Sequence, residues 1–457
     1  IDASIKKVTI NNIRSISDFE MTFPEPAGWH VVIGDNGAGK STVVKSIALA
    51  LLDITDINAA GQDWDEWLKS DGSATGSIEL MITPFESNQI IQNRITFEQN
   101  SVFGDSIYSE DFKEYRQPLE DVEVRIREVI FRGKKTFDSV SSTPITTFIS
   151  PLPTPTPPIR EKREYWFSAG YGPFRRFTGG SQDKEKIYKT NPNLGSHLSV
   201  FGEDVALPEA LNFLRDLYLD ELELLHNNQT PKPTLKHLMK FINEAHLLPH
   251  GAVIYGVGLK GIYFKDGYGN TVSSLQMSDG YRSILSMTFE LIRQLIRVYG
   301  NQLVFENINN GENIIDLPGV VLIDEIDAHL HPTWQTRIGE WFTKYFPKIQ
   351  FIVTTHSPLV CRACEKGSIW RLASPGSNTE SGEVTGLERE RLIFGNILDA
   401  YGTELFGQSP VRSEKTDEKQ KRLGHLNMLS AFGKITEEEE KERLELQQIL
   451  STNAPIN

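Results

Sequence analysis

Residues 31–42 read "VVIGDNGAGKST": three apolar residues run into a glycine-rich turn that ends in a lysine and two hydroxyls. Gly34, Gly39, Lys40 and Ser41 meet the spacing G-x-x-x-x-G-K-[ST], and Gly37 adds a third glycine. Glycines let a backbone curl so that several N–H groups point at one anion. In a turn of this kind the lysine reaches the β- and γ-phosphates of a nucleotide, and the Ser41 hydroxyl faces Mg²⁺. The flanks fit that reading. "VVI" has the character of a buried strand, and the apolar run "STVVKSIALALL" that follows predicts a helix whose N-terminus faces the phosphates. Gly34, Asn36, Gly37, Ala38, Gly39, Lys40, Ser41 and Thr42 are therefore the candidate nucleotide-binding set, with ATP and Mg²⁺ as the expected ligands.

The chain has 457 residues, enough for two or three domains. Its 39% hydrophobic and 24% charged content is that of an ordinary folded protein with a real core. No apolar run reaches membrane-span length and the first twenty residues carry no signal-peptide pattern, so a cytoplasmic protein with no membrane partner is expected. The only cysteines, Cys361 and Cys364, form "CRAC". With no second pair to complete four zinc ligands, they read as two ordinary thiols on a helix. A net charge of −14 excludes indiscriminate coating of DNA. The segment from Lys113 to Lys189 runs against that trend, with 15 Lys/Arg against 10 Asp/Glu.

Along the chain, residues 5–33 read as strands, and residues 77–100 alternate apolar and polar in strand fashion. Residues 139–160, rich in Pro, Ser and Thr, read as an extended linker. "PEALNFLRDLYLDELELL", "TLKHLMKFINEAHLL" and "DGYRSILSMTFELIRQLIRVY" have helical spacing, and residues 252–274 read as a small meander. "GVVLIDE" and "IQFIVTTH" contain short apolar strands of the parallel-sheet type. The C-terminal part predicts two charged helices joined at Gly433, the second opened by a capping box of Thr436 and Glu439. Their thin apolar stripes are Leu423, Leu426 and Leu429, then Leu444, Leu446 and Leu450.

Asp324 and Glu325 end an apolar strand downstream of the glycine loop. An acid so placed holds Mg²⁺ directly or through water, and a glutamate after it polarises the water that attacks the γ-phosphate. "MSDGY", residues 277–281, precedes a long helix and offers a hydroxyl and backbone N–H groups to an anion. This loop resembles the signature loop of ABC-type ATPases, with Met at the usual Leu position. "IDAHLHP", residues 326–332, resembles the D-loop of the overcoming-lysogenization-defect ATPases and their AAA/ABC-like relatives. "FIVTTHSP" sets His356 at a strand end, as the switch histidine of the same class. The resemblance implies an α/β fold. It is an ABC-type P-loop head of mixed sheet plus parallel core sheet with helices, an inserted middle region and a C-terminal helical tail. The resemblance further implies Glu325 and His356 as catalytic residues, Ser41 and Asp324 as metal ligands, and Ser278 and Gly280 as contacts to a neighbouring subunit's nucleotide. His331 reads equally as a turn residue. A glutamine loop is required as well, and Gln62, Gln89, Gln92 and Gln99 all remain candidates.

The expected division is then residues 1–110, carrying the P-loop; 111–250, the inserted middle; 251–375, with signature, acids and switch histidine; and 376–457, a tail that docks a partner. About 235 residues separate Lys40 from Ser278, too many for a transporter subunit, and their Pro-rich loops and short elements do not resemble SMC arms. Only about 100 residues follow His356, so no TOPRIM nuclease domain is expected in this chain. "SAGYGPFRRFTGG", residues 168–180, is similar to a stretch in ATPases of bacterial anti-phage systems, the Septu type above all. Its Tyr171, Phe174, Arg175, Arg176 and Phe177 mix aromatic and guanidinium groups suited to a base or phosphate. The implied partners are a second copy in a head-to-tail dimer or higher oligomer and an HNH nuclease subunit, with DNA as a further candidate. The implied role is regulation of that nuclease in defence. A RecF- or SMC-like repair ATPase and an ATP-binding scaffold with little turnover are the alternatives.

Overall fold

The computed structural model describes residues 4–60, 62, 66–69, 73–83, 90–100, 109–119, 122–134, 167–173, 191–202, 208–230, 233–248, 251–259, 261–273, 276, 279–374, 376, 380–395 and 414–450. The chain forms two compact units, Ile1–Gly395 and Asn396–Asn457.

Unit one is α/β. Its strands are β1 (Ser4–Ile13), β2 (Ile16–Thr22), β3 (Gly28–Ile33), β4 (Thr75–Thr83), β5 (Ile90–Asn100), β6 (Ser109–Leu119), β7 (Val122–Lys134) and β8 (Ser168–Tyr171), then β9 (Val253–Gly258), β10 (Gly261–Lys265), β11 (Thr271–Ser273), β12 (Gly319–Ile323), β13 (Ile349–Thr354), β14 (Gly367–Arg371) and β15 (Gly382–Glu383). One six-stranded sheet has the order β2-β1-β4-β5-β7-β6 and is antiparallel except where β5 runs parallel to β7. The other has the order β15-β14-β3-β13-β12-β8 and is parallel except at β15. Every residue of β3, β12 and β13 is buried, which is why each is mainly apolar on both faces rather than alternating, with His30, Gln350 and Thr354 as the buried polar exceptions. β4 alternates buried and half-buried residues because only one face of its sheet is covered. β9 to β11 form the expected antiparallel meander.

Helix α1 (Lys40–Leu51) touches strands of both large sheets, and Val43, Val44, Ile47, Ala48 and Leu49 are all buried. Beyond its polar first turn and Lys45 and Ser46 the helix is apolar, and it is enclosed accordingly. The sheets are also joined directly. Ile5 N–H donates to Gln350 Oε1 at 2.8 Å and Gln350 Nε2 donates to the Ile5 carbonyl at 3.0 Å, so a buried amide replaces a missing strand neighbour. The other helices that matter below are α2 (Pro208–His226), α3 (Thr234–Glu244), α4 (Asp279–Tyr299) and α5 (Pro332–Tyr345).

The division at residues 110 and 111 does not survive. β5 and β7 pair from Ile90↔Val124 to Asn100↔Lys134, so the sheet that holds β1 continues through residue 134. β8, from the supposed middle region, is the edge of the parallel sheet beside β12. Hydrogen bonding to distant strands, invisible to a composition reading, makes residues 1–395 one unit. Among the described residues no helix is long and apolar enough to cross a membrane. Cys361 and Cys364 are free and buried on a 3₁₀ helix (Pro358–Lys366), and burial raises both thiols, so neither is a ready thiolate.

Unit two contains helices α6 (Glu414–Ala431) and α7 (Glu437–Leu450), with Gly433 at φ 63° in their connection. The capping box forms: Glu439 N–H donates to Thr436 Oγ1 at 3.3 Å and Thr436 N–H donates to Glu439 Oε2 at 3.0 Å. The helices pair with each other. Leu426 and Leu446 are buried, and Arg422 reaches Glu442 across the pair through Nε at 3.0 Å and Nη2 at 2.7 Å. The expected stripe is corrected at Leu444, which is 49% exposed. A two-helix contact has room for only the innermost residue of each turn.

Two buried histidines make stability depend on pH. His30 Nε2 donates to the Pro26 carbonyl at 2.8 Å, so its Nδ1 accepts from Ser368 Oγ at 2.8 Å. Burial pushes His30 down to about 4, and burial with the Arg297 charge pushes His197 down to about 3. The unfolded chain takes up protons near 6.5 that the folded chain refuses. Their contribution is therefore intact above pH 6.5 and is lost as pH falls toward those lower values. At pH 4.5 each site is expected to cost on the order of 2–3 kcal/mol relative to pH 7. Urea midpoints at the two pH values check this. His30→Gln and His197→Gln should each flatten the acid loss, and an unchanged slope in both would refute it.

Candidate nucleotide site

β3 delivers the glycine loop to the carboxyl edge of the parallel sheet, where open α/β sheets bind ligands. Gly37 has φ 80° and Gly39 has φ 102°, both left-handed. A Cβ on Gly39 would lie 2.7 Å from Ser15 Oγ and 2.9 Å from Ile16 Cγ1. Glycine is thus required there twice, for its φ and for the close approach of the β1–β2 turn. Gly39 caps α1 with no side-chain partner of its own, leaving the helix N-terminus to the cavity.

A cavity of about 260 Å³ lies over this loop. Asn36, Gly37, Gly39, Lys40, Ser41 and Thr42 of the loop and helix start line it, together with Ser15, Glu325 and His356 from elsewhere in the chain. Lys40 Nζ donates to the carbonyls of Gly34 at 2.7 Å and Asp35 at 2.9 Å. Burial lowers the Lys40 pKa, while the charges of Glu325, Asp324, Asp327 and Asp35 oppose that shift. The loop is a cation and a set of N–H donors facing several carboxylates, a cradle that fits a polyphosphate.

The acids arrive from β12. Asp324 is 3% exposed, and its N–H donates to the Tyr171 carbonyl at 2.8 Å, where β8 closes beside β12. Glu325 has φ 48°, an uncommon left-handed conformation for a glutamate. Asp327 Oδ1 accepts from Thr355 Oγ1 at 2.6 Å and from His356 N–H at 3.2 Å, tying the acidic loop to the histidine loop. Among the described residues no three His, Cys, Asp or Glu side chains gather to hold a metal by themselves. Ser41 and Asp324 are hard oxygen donors of the kind Mg²⁺ takes together with substrate phosphates, so the set fits that ion only alongside a nucleotide.

Other candidates are not brought into this cavity. A Cβ on Gly280 would meet the His329 carbonyl at 2.6 Å, so Gly280 is needed for α4 to pack on its own D-loop. Tyr281 adds an edge-on contact to Trp334, 6.4 Å between ring centroids. Ser278 lies outside the described residues. His331 is a helix cap, its Nδ1 accepting from Thr333 N–H at 3.3 Å. Gln92 donates to Glu79 at 3.0 Å and Gln62 donates to the Ala60 carbonyl at 3.4 Å; neither lines the cavity. Gln89 lies outside the described residues, and Gln99 sits in β5. Tyr171 is 1% exposed at the end of β8, so it is a core residue and not a stacking platform. Phe174, Arg175, Arg176 and Phe177 lie outside the described residues. Ser15 was not singled out from the sequence, because the signal that finds it is its spatial contact with Gly39.

A family model described as "AAA domain, putative AbiEii toxin, Type IV TA system" matches residues 30–362. "Septu protein PtuA" of Bacillus mycoides is 25% identical over 378 residues, 80% of this chain and 40% of that protein. "Retron Ec83 probable ATPase" of Escherichia coli is 43% identical over 102 residues, 22% of this chain and 17% of that protein. The chain spans less than half the length of either curated relative. An SMC head bound to the C-winged helix domain of ScpA aligns with 84% of this chain and 98% of its own at 14% identity and a TM-score of 0.42. With the family model covering residues 30–362, the chain belongs to the AAA-domain family described as "putative AbiEii toxin, Type IV TA system".

Proposed function

We propose that this chain is an ATP-hydrolysing head that controls a partner nuclease in defence against phage. The carrying observation is the meeting of Lys40, Ser41, Glu325 and His356, from three separate segments, around one cavity. Gly34, Asn36, Gly37, Ala38, Gly39 and Thr42 shape the anion cradle, and Lys40 holds the outer phosphates of ATP. Glu325 takes a proton from the attacking water, and His356 donates a hydrogen bond toward the γ-phosphate. Ser41 and Asp324 would hold Mg²⁺, which would supply charge neutralisation on the phosphate oxygens when bound.

The defence role rests on likeness to "Septu protein PtuA" and "Retron Ec83 probable ATPase". The ABC-like motif order supports a head-to-tail dimer in which Ser278 and Gly280 of one subunit cover the ATP of the other. An HNH nuclease subunit is the proposed partner, with nucleic acid reached through it, in the cytoplasm. Co-expression with the genes that flank its own, followed by native mass measurement, tests this. A complex with an even number of these chains and a smaller nuclease subunit is expected. This chain alone at every nucleotide state would refute the partnership.

A further inference from the structure

We propose that Thr354 is a positioning residue for hydrolysis: its one hydroxyl holds the side chain of Asp324 and the backbone of Glu325 together. The proposal rests on the nucleotide reading above and goes beyond it in naming the group that aims both acids.

β13 lies between β3, which leads into the glycine loop, and β12, which leads into the acids. Its last residue is Thr354, completely buried. Thr354 Oγ1 donates to Asp324 Oδ1 at 2.5 Å, and Glu325 N–H donates to Thr354 Oγ1 at 2.8 Å. Both directions are forced. A backbone N–H only donates and an ionised carboxylate only accepts, so the hydroxyl must accept from Glu325 and give its single proton to Asp324.

The two bonds have different consequences. The first fixes which Asp324 oxygen remains turned away from β13. The second pins the N–H of a glutamate whose φ is 48°, at the point where the chain leaves β12. That region is one side-chain-bearing residues seldom occupy, and the Thr354 contact holds the N–H side of Glu325 there while its carbonyl accepts from Ala328 N–H at 2.9 Å. The next residue repeats the device: Thr355 Oγ1 donates to Asp327 Oδ1 at 2.6 Å. The last residue of the strand between cradle and acids and the residue that follows it thus each hold one carboxylate of the acidic loop through a hydroxyl. An ordinary strand-end hydrogen bond would need only one of these contacts and would show no preference for the acids.

Thr354→Val keeps shape and volume and removes the hydroxyl. With the full chain, kcat for ATP is expected to fall about 10- to 100-fold, the usual range for a lost group behind a metal ligand. ATP affinity without Mg²⁺ should change by less than about twofold, since the cradle is intact. Calorimetric titration should show the Mg²⁺ concentration that supports ATP binding rising about tenfold or more. Thr354→Ser, which keeps the hydroxyl, should restore both values to within about threefold. In a Glu325→Gln background the valine change should lower the remaining rate little further, because both act on one step, yet still shift the Mg²⁺ requirement.

Wild-type turnover with an unmoved Mg²⁺ requirement in the valine protein would overturn the proposal. So would a serine protein as impaired as the valine one. If the valine protein does not fold, Thr354→Ala takes its place, with the same fall in kcat and the same rise in the Mg²⁺ requirement expected and the same outcomes overturning the proposal. A wild-type chain that neither binds nor hydrolyses ATP would instead refute the nucleotide reading itself.

Discussion

Glu325→Gln is expected to bind ATP as tightly as the wild type and to hydrolyse it at least about a hundredfold more slowly. Glutamine matches glutamate in size and keeps an acceptor oxygen, so the cavity it lines with Lys40 and His356 retains its shape. What it loses is the capacity to take a proton from water and the negative charge that orients that water. A positioned general base contributes roughly 10²- to 10⁴-fold, and this substitution removes the base while leaving its neighbours in place. Phosphate release reads the rate, and a fluorescent nucleotide reads binding. Because the proposed dimer closes on ATP and reopens after hydrolysis, the variant should also accumulate as an ATP-bound dimer by mass. Hydrolysis at the wild-type rate would mean that the base is another group, and the assignment of β12 as the strand that carries it would fall.

Lys40→Ala is expected to lose ATP binding, by at least about a hundredfold in Kd, or about 3 kcal/mol. The reason lies in the charge balance around the loop. Lys40 sits within the fields of Glu325, Asp324, Asp327 and Asp35. Removing its ammonium deletes the cation that meets the outer phosphates and leaves those carboxylates to repel them. Lys40→Met, which keeps the stem and removes the charge, should be nearly as deficient; tight binding by it would show that the N–H cradle suffices. Lys40→Ala also probes the composite site. Ser278→Arg should bind ATP through its own P-loop and fail to hydrolyse if, as proposed, Ser278 serves the other subunit's nucleotide. An equal mixture with Lys40→Ala forms about half heterodimers, each with one intact site. About a quarter of wild-type activity should return, from two inactive proteins. No recovery after subunit exchange, or full activity of Ser278→Arg alone, would refute the shared site.

The features legible in the sequence are those whose physics is local. The spacing from Gly34 to Ser41 specifies a strand, an anion-binding turn and a helix, because left-handed φ at Gly37 and Gly39 and the apolar run behind them depend only on chain neighbours. The same holds for the capping box at Thr436 and Glu439, three residues apart, and for β12 and β13, short runs that are mainly apolar and rich in β-branched residues, the composition of buried strands. The position of Asp324 and Glu325 after such a run was enough to nominate them.

Tertiary structure alone decided which strand lies beside which. That β13 separates β3 from β12 is what brings Thr354 Oγ1 to Asp324, thirty residues earlier in the chain. That β5 pairs with β7 is what extends the first sheet to residue 134 and removes the expected boundary at residue 110. That the β1–β2 turn folds over Gly39 is what puts Ser15 in the cavity. Gly280, read as a nucleotide contact, lies close against the His329 carbonyl and outside the cavity lining, and Leu444, read as part of a stripe, is 49% exposed. A residue's type and spacing limit the bonds it can make, but a hydroxyl, a glycine face or a leucine takes its partner from whatever the distant chain sets against it, and that pairing is written in no window of consecutive residues.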